Sequence, residues 1–495
     1  VEDGENTEEG GVGSTGRGGP PKAETDTDAN NAGEMLVDKN AAERAYARIP
    51  ALNEDLIMPY GEILEKALPN YAEGGSWVDA KKSEIAAMKD ESKKTVGYMV
   101  KEFEMKKAAD QYARAATSKT GSLDMNKLHT YKYNEDLFKK VTTLPGATNH
   151  GMVMVLDWSG SMSHNLLCTL SQMYNLIWFC RRTKIPFEVF AFSDMYGRRS
   201  RNNRASDDRN WANEFKAGDI ALSNFHLLNF FSSNMTSAEE MDMMHILWMY
   251  ACRFYRGYRD WKECGHPYSP PASLSLGGTP LNDAIIAMMD LVPQFKKDAG
   301  VQKVNTIFLT DGASNRLEGV YDYRLITDDN DERKGTHERI LSEVGSRKTK
   351  TVMTDPVMNK TIEVENSSQI TNSLLQLLKN RVPGMNIVGF FIAGSGKSGR
   401  VDKRTLYYLL EDRDWTKVQE LIKLINKNKY LALNQLGYDE YYVLPGGNNL
   451  QVENETLSDD LVGAAKGKLK TAFGKMQKNK ISSRQLLNKF VKMVA

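Results

Sequence analysis

The sequence predicts an α/β fold built on a doubly wound, mostly parallel sheet. The main evidence is that short, mostly apolar runs of strand length alternate with longer segments whose apolar residues recur at helical spacing. The first run, MVMVL at 152–156, is apolar at every position, as expected of a strand covered by helices on both faces. A chain of 495 residues is long enough for two or three folded units, including one with a large core.

The elements of this sheet are predicted to lie within residues 146–450. The predicted strands are 152–156, 187–192, 304–310, 386–393 and 441–444, and the predicted helices are 165–182, 281–295, 369–381 and 404–426. Residues 241–258 are rich in Met and aromatic side chains, which is typical of a core helix. Two polar stretches, 195–235 and 316–366, are predicted to be surface insertions, the second with a hairpin around Asp355-Pro356.

The region ahead of the sheet, residues 41–145, is predicted to be mostly helical. Helices are expected at 41–49 and 61–67, followed by a long helix at about 77–117. The apolar residues of the long helix recur among many lysines and glutamates. A helix this polar needs another surface on which to bury its apolar stripe.

The two ends of the chain carry opposite charge. Residues 1–40 contain ten acidic and three basic residues, eight glycines and no aromatic residue, so they are predicted to be a disordered acidic tail. Residues 451–495 are predicted to form a basic helical segment, since 458–495 contains nine Lys or Arg and only two Asp.

The composition argues against several classes of function. The 65 Lys and Arg against 64 Asp and Glu give a formal net charge of +1, which offers no support for a nucleic-acid or membrane-surface partner. The apolar runs are far shorter than the ~18 residues typical of a membrane span. Four cysteines without a CxxC motif argue against a disulfide framework and favour a reducing compartment.

Asp157, Ser159 and Ser161 lie in the turn after the first predicted strand. In a doubly wound sheet this turn is at the carboxyl edge, where ligands bind. Asp and Ser side chains offer only oxygen, which is the ligand type that Mg²⁺ prefers. Thr279 in GGTPLND opens a later helix and Asp311 in LTDG ends a later strand, so both are candidates to complete the same site.

Other interpretations of these residues stay open. Residues 157–161 could instead form a capping turn that only starts the next helix. A serine nucleophile is a weaker alternative, because it would need a Gly-x-Ser-x-Gly frame that neither serine has. Asp283 either assists the site or is a first-turn acid of its helix. Asp194, which follows the second predicted strand, either lines the same edge or is a solvated loop acid, and we favour the loop acid.

The segment GSGKSGR at 394–400 superficially suggests a phosphate-binding loop. Walker A needs a Gly five positions before Gly396, but that position is Phe391, inside a predicted strand. We therefore predict a mobile loop that does not bind a nucleotide.

The motifs DWSGSM, GGTPL and LTDG, in this order and each at a strand or helix edge, resemble the metal-ion-dependent adhesion site (MIDAS) of von Willebrand factor A (VWA) domains. The resemblance covers about residues 146–450. It implies that the metal, Mg²⁺ or Mn²⁺, is held by five residues, some acting through water: Asp157, Ser159, Ser161, Thr279 and Asp311.

The segment just before this domain, from FEMKKAADQYARAATSKT to GSLD, is similar to the pre-domain helix and linker of CobT-like proteins. These proteins are the VWA subunits of cobalt chelatase and include versions encoded by tailed bacteriophages. An acidic, low-complexity segment ahead of a C-terminal VWA domain is the same layout. The chain differs from the chelatase pattern at Trp158, where the bacterial subunit usually has Asn, and in its long insertions. The cysteine content favours a cytoplasmic location, and the resemblance implies that the cell is a bacterium or a phage-infected bacterium.

The function expected from these observations is that of a non-catalytic MIDAS subunit whose metal recruits a carboxylate on a partner. The CobT resemblance implies a hexameric AAA+ ATPase of the CobS/MoxR type as that partner. The third member would be a large chelatase subunit of cobalamin biosynthesis or another remodelled protein. The alternative is a stand-alone adhesion or ligand-binding protein with the same site, which secretion signals and paired cysteines would favour.

Overall fold

The computed structural model describes most of the chain between residues 43 and 446. The described residues are 43–72, 75–113, 116–123, 132–133, 138–143, 149–194, 216–222, 225–256, 270–317, 319–325, 337–342, 344, 349–364, 369–394, 401, 403–410, 414–428, 430–434 and 437–446. The predicted acidic tail, the predicted basic helix at 451–495 and the loop at 395–400 lie outside them.

The described residues contain fifteen strands and eight α-helices. In chain order they are β1 Glu43–Arg48, β2 Ile57–Met58, α1 Tyr60–Ala72, α2 Gly75–Ala113, β3 Ala116–Leu123, β4 Phe138–Thr143, β5 His150–Asp157, α3 Leu166–Thr183, β6 Phe187–Asp194, β7 Phe225–Ser232, α4 Ser237–Arg256, α5 Leu281–Asp298, β8 Lys303–Thr310, β9 Val320–Leu325, β10 His337–Ser342, β11 Thr349–Asp355, β12 Lys360–Val364, α6 Ile370–Arg381, β13 Asn386–Ile392, α7 Lys403–Leu409, α8 Trp415–Asn428, β14 Leu431–Leu433 and β15 Glu440–Leu444.

An eight-stranded mixed sheet forms the centre of the fold, in the order β14-β15-β13-β8-β5-β6-β7-β2. The five strands from β15 to β6 pair in parallel, whereas β14 and β7 each run antiparallel to a neighbour. The predicted α/β class with a mostly parallel sheet is therefore confirmed. All five parallel strands present their carboxyl ends at the same edge, which is where this class of fold binds ligands.

Helices cover both faces of the sheet, and β5 shows why. Its residues Met152, Met154 and Leu156 belong to one core cluster, together with side chains of α1, α2, α3 and α4. The alternate residues Val153 and Val155 belong to a second cluster, with side chains of α5 and α6. Because successive side chains of a strand point to opposite faces, an unbroken apolar strand contributes side chains to the core on each face of the sheet.

Part of the region predicted to be helical forms strands instead. Residues 41–49 were predicted to be helical, but β1 lies there and joins β11 and β12 in a three-stranded sheet. The exposed fraction alternates between Tyr46, at 66%, and Ala47, at 2%, as in a half-buried strand. Pairing with β11 thus overrides the helix preference of Ala, Glu and Arg. The β3–β4 hairpin, also in this region, was not predicted.

Three other predictions can be compared with the structure. The stretch 195–235 is not wholly an insertion, because its last residues form β7, which pairs antiparallel with β6. The single helix predicted at 404–426 is two helices, α7 and α8. The predicted hairpin around Asp355 is confirmed, since β11 and β12 pair antiparallel.

In the part of the chain that the structure describes, no helix has the length and apolarity to cross a membrane.

Candidate metal centre

The carboxyl ends of β5, β6 and β8 lie side by side at the centre of the sheet. Asp157, the last residue of β5, is in register with Phe192 of β6, and Leu156 is in register with Leu309 of β8. The first loop, residues 157–161, therefore begins between the ends of two parallel strands. The loops that follow these strands can contact one another across this edge.

The first loop is fixed to the loop that carries Thr279. The Gly160 N–H donates to the Gly277 carbonyl at 2.9 Å, and the Gly277 N–H donates to the Trp158 carbonyl at 3.3 Å. Trp158 is fully buried, and its Nε1–H donates to the Leu274 carbonyl at 2.9 Å. The tryptophan side chain thus anchors both loops from within the core.

A chain of hydroxyls connects the first loop to Asp311. Ser161 Oγ donates to Asp311 Oδ1 at 2.6 Å, and Ser159 Oγ lies 2.9 Å from Ser161 Oγ. Since the Ser161 proton points to the carboxylate, the Ser159 hydroxyl is the donor in the second bond. Ser159, Ser161 and Asp311 are thus brought together, and each keeps acceptor lone pairs for a further ligand.

Asp157 has one satisfied and one unsatisfied carboxylate oxygen. Thr310 Oγ1 donates to Asp157 Oδ2 at 2.7 Å. Asp157 Oδ1 is buried and has no hydrogen-bond partner among the described residues. A buried acceptor left without a partner carries a desolvation cost, so the atom is suited to a cation or another donor that completes its shell.

The two carboxyl groups of this edge also have raised pKa values. Burial raises the pKa of Asp157 to about 7, with the nearby Asp311 contributing and the Thr310 hydroxyl opposing. Burial likewise raises the pKa of Asp311, against the effect of hydrogen bonds from Ser161 and Asn165. A divalent cation between the two would favour their ionised forms and offset the cost of burial. The residues therefore fit a hard metal ion.

Thr279 lies beside the loop that carries Asp311. It is 7% exposed, and its carbonyl accepts a hydrogen bond from the Asn315 N–H at 2.8 Å. A Cβ added to Gly312 would lie 3.5 Å from Thr279 Oγ1. The hydroxyl thus approaches the LTDG turn closely, and the three predicted motifs are neighbours in the fold.

Asp194 is a structural part of this edge, and the prediction of a solvated loop acid was wrong. Its Oδ1 accepts a hydrogen bond from the Gly278 N–H. A Cβ on Gly277 would lie only 2.1 Å from the same oxygen, so the Gly277-Gly278 pair lets the backbone approach the carboxylate. The two consecutive glycines were the sequence signal for this close approach.

Three other residues complete the description of the site. Asp283 lies in the first turn of α5 and is 6% exposed. Thr310 and Asn165 were not predicted as parts of the site. Thr310 directly precedes Asp311 and donates to Asp157. The amide of Asn165 donates to the Gly394 carbonyl at 3.1 Å. Among the described residues, no three His, Cys, Asp or Glu side chains cluster as a metal site. The centre described above is of another kind, with two carboxylates and several hydroxyls.

Comparisons with known proteins identify no family for this chain. No protein-family model matches it, and no curated protein matches it. Eighteen chains of solved structures do match. One is the pilus adhesin SpaC from Lactobacillus rhamnosus GG, with 13% sequence identity and a TM-score of 0.27 over 59% of this chain. The match spans 34% of the adhesin chain, and similarity at this level identifies no shared function.

Proposed function

We propose that residues 146–450 form a VWA domain of the CobT-like type with a MIDAS metal centre. The observation that carries the proposal is the buried, unpartnered Asp157 Oδ1 next to the hydroxyl chain that ends at Asp311. The mixed, mostly parallel sheet is consistent with such a domain. The order of DWSGSM, GGTPL and LTDG along the sequence supports it further.

The proposed ligands of Mg²⁺ or Mn²⁺ are Asp157, Ser159, Ser161, Thr279 and Asp311, directly or through water. Bound there, the ion supplies an electrophilic coordination position that a carboxylate of a partner protein can take. The hydrogen bond from Trp158 Nε1 to the Leu274 carbonyl holds the first loop against the loop that carries Thr279. We assign the chain a binding role rather than a catalytic one.

The proposed partner is a AAA+ ATPase of the CobS/MoxR type, in a complex for cobalt chelation or for protein remodelling. The charges of the site suit such a contact if at most one carboxylate binds the ion directly and the other acts through water, because the ion then keeps part of its positive charge for an acidic group of the partner. ATP hydrolysis belongs to the ATPase in this proposal.

Capture of a CobS/MoxR-type ATPase by the full chain tests the proposal. Capture should need Mg²⁺, and it should fail with Thr279→Ala, which removes a ligand hydroxyl without changing the charge. Asp298→Ala is the control, because Asp298 is exposed and ends α5, the helix that begins beside the site. Undiminished capture in EDTA would refute a metal-bridged contact. Metal binding without capture of the ATPase would favour a stand-alone ligand-binding protein.

A further inference from the structure

Asp194 contacts the backbone directly before Thr279. It is the last residue of β6, the strand next to β5 in the sheet. Its Oδ1 accepts a hydrogen bond from the Gly278 N–H. The preceding residue, Ser193, is fully buried and donates from Oγ to the Trp158 carbonyl at 3.0 Å. The end of β6 therefore contacts both the first loop and the loop that carries Thr279.

The peptide unit that joins Gly277 to Gly278 is hydrogen-bonded at both of its polar groups. Its carbonyl, on Gly277, accepts from the Gly160 N–H at 2.9 Å. Its N–H, on Gly278, donates to Asp194. A peptide unit is planar, so the two bonds together fix the direction of the whole unit. The first loop supplies one of the two partners, and Asp194 supplies the other.

The two glycines make this peptide unit easy to rotate once a partner is lost. Gly277 and Gly278 have no Cβ, so each can adopt backbone conformations that are closed to other residues. Thr279 follows directly, and a rotation of the peptide unit would displace its side chain. The carbonyl of Thr279 is held separately, by the Asn315 N–H at 2.8 Å. Asp194 and Asn315 therefore constrain the threonine from its two ends.

The same two residues also pack against Gly278. A Cβ added to this glycine would lie 2.5 Å from Asp194 Oδ2 and 2.6 Å from Asn315 Nδ2. One oxygen of Asp194 thus bonds to the loop backbone, and the other lies close against it. This arrangement favours a role in holding the backbone over a role as a further metal ligand.

We propose that Asp194 is a positioning residue of the candidate metal centre, which holds the Gly277–Gly278 peptide unit and so keeps the Thr279 hydroxyl within reach of an ion at the first loop. The inference rests on the proposed function, because it takes Thr279 as a ligand. Asp194 does not touch the ion and acts through the backbone. Removal of a residue that orients a metal ligand typically lowers metal affinity by about 10–100-fold.

Calorimetric titration of the full chain with Mg²⁺ tests the proposal in wild type, Asp194→Ala and Asp194→Asn. Asp194→Ala removes the acceptor, so the affinity should fall by about 10–100-fold. Asp194→Asn loses the charge but keeps an acceptor oxygen, so it should recover most of the wild-type affinity. An equal loss in the two variants would overturn the proposal, because the charge and not the hydrogen bond would then be what the metal centre needs.

Asp290→Ala is the matched control for loss of stability. Asp290 also accepts a backbone N–H, from Leu52 at 2.8 Å, and it pairs with Arg381. It lies nine residues after the start of α5, about 13 Å along the helix from the end beside Thr279. The variant should be less stable but should bind Mg²⁺ as wild type does. A fall in affinity equal to that of Asp194→Ala would overturn the proposal, because lost stability alone would explain both.

Hydrogen exchange of the segment around Gly278, measured by mass spectrometry in a metal-free buffer, separates this inference from the proposed function. Exchange should be faster in Asp194→Ala than in wild type and close to wild type in Asp194→Asn. Unchanged exchange in Asp194→Ala would overturn the role of Asp194 and leave the metal centre untouched. Failure of the wild type to bind Mg²⁺ would instead refute the metal centre, and with it the role of Asp194 there.

Discussion

Asp157 combines deep burial with an ionisable group, and this conflict determines its chemistry. The carboxyl is fully buried at the end of the central strand, and only one of its oxygens has a partner. Without a cation, burial penalises the charged carboxylate, and this raises the pKa of Asp157 to about 7. A metal ion and a proton should therefore compete for this residue.

We expect Asp157→Ala to abolish Mg²⁺ binding, measured by calorimetry, and Asp298→Ala to bind as wild type does. In the wild type, the apparent affinity should fall by about tenfold for each pH unit below the pKa of Asp157, which lies at about 7. The sign follows because the protonated carboxyl must lose its proton before it binds a cation. Above that pH the dependence on this residue should vanish. Equal Mg²⁺ affinity in wild type and Asp157→Ala would contradict the assignment.

At the same scale, the sequence identified acidic and hydroxyl residues but not all of their contacts. Ser159, Ser161 and Asp311 were predicted from motif order, and hydrogen bonds join them. The contact of Thr310 with Asp157 depends on how β8 pairs with β5, which no local pattern encodes. Asp194 was misassigned because an acid at a strand end resembles a solvated loop residue until the Gly277-Gly278 backbone is placed against it.

Among the elements, the loop that contains Gly277 and Gly278 shows how tightly the edge is packed. A Cβ at Gly277 would approach Asp194 Oδ1 at 2.1 Å, Ser193 Oγ at 2.5 Å and the Asp194 carbonyl oxygen at 2.8 Å. One of these contacts involves backbone, so rotation of a side chain alone cannot relieve the clash. The loop therefore depends on glycine to hold Thr279 near the first loop.

Gly277→Ala should lower the free energy of unfolding by about 1–3 kcal/mol, because it overpacks a closed contact. Gly61→Ala is the control, since Gly61 lies in the first turn of α1 with nothing within 4 Å of the added Cβ. Helix propensity predicts that this control is neutral or stabilising by up to about 1 kcal/mol. Urea denaturation of both variants gives the comparison. A Gly277→Ala protein as stable as wild type would show that the loop has room to move.

The type of each element was predicted well where the whole segment is buried. It was predicted poorly where pairing with a strand distant in sequence determines whether the segment is a strand. The strands β5, β6, β8 and β13 are mostly apolar and buried along nearly their whole length, and each was found at nearly its observed position. β7 was missed because the predicted polar insertion, 195–235, was extended over the whole of it. β1 was read as helix because its local composition favours helix, and only tertiary pairing turns it into a strand.

On the scale of the whole molecule, the long helix α2 belongs to the same core as the sheet. Its residues Val96, Met99 and Phe103 lie in one buried cluster with side chains of α3 and α4. The Phe103 ring meets Phe179 of α3 edge to face, with centroids 5.7 Å apart. The described residues from Ala45 onward form one compact unit. The predicted need of α2 for a partner surface is thus met by α3 and α4.

Phe103→Ala should lower the free energy of unfolding by about 3–5 kcal/mol, as for other large-to-small changes in a core. Met105→Ala is the control on the same helix, because Met105 is 57% exposed and should change stability little. Thermal unfolding followed by circular dichroism measures both. Similar midpoints for wild type and Phe103→Ala would mean that α2 contributes little to the folded core.

The hydrogen bonds of the candidate metal centre also have a consequence for the order of folding. Those that join Ser161 to Asp311 and Thr310 to Asp157 connect residues 150 and 153 positions apart in the chain. Contacts of such long sequence separation form slowly, because the entropy of closing the intervening loop is lost before any stabilisation is gained. A nascent chain that ends before β8 contains Asp157, Ser159 and Ser161 but not the carboxylate that closes the site. The proposed metal centre is therefore complete only late in folding, once β8 has paired with β5.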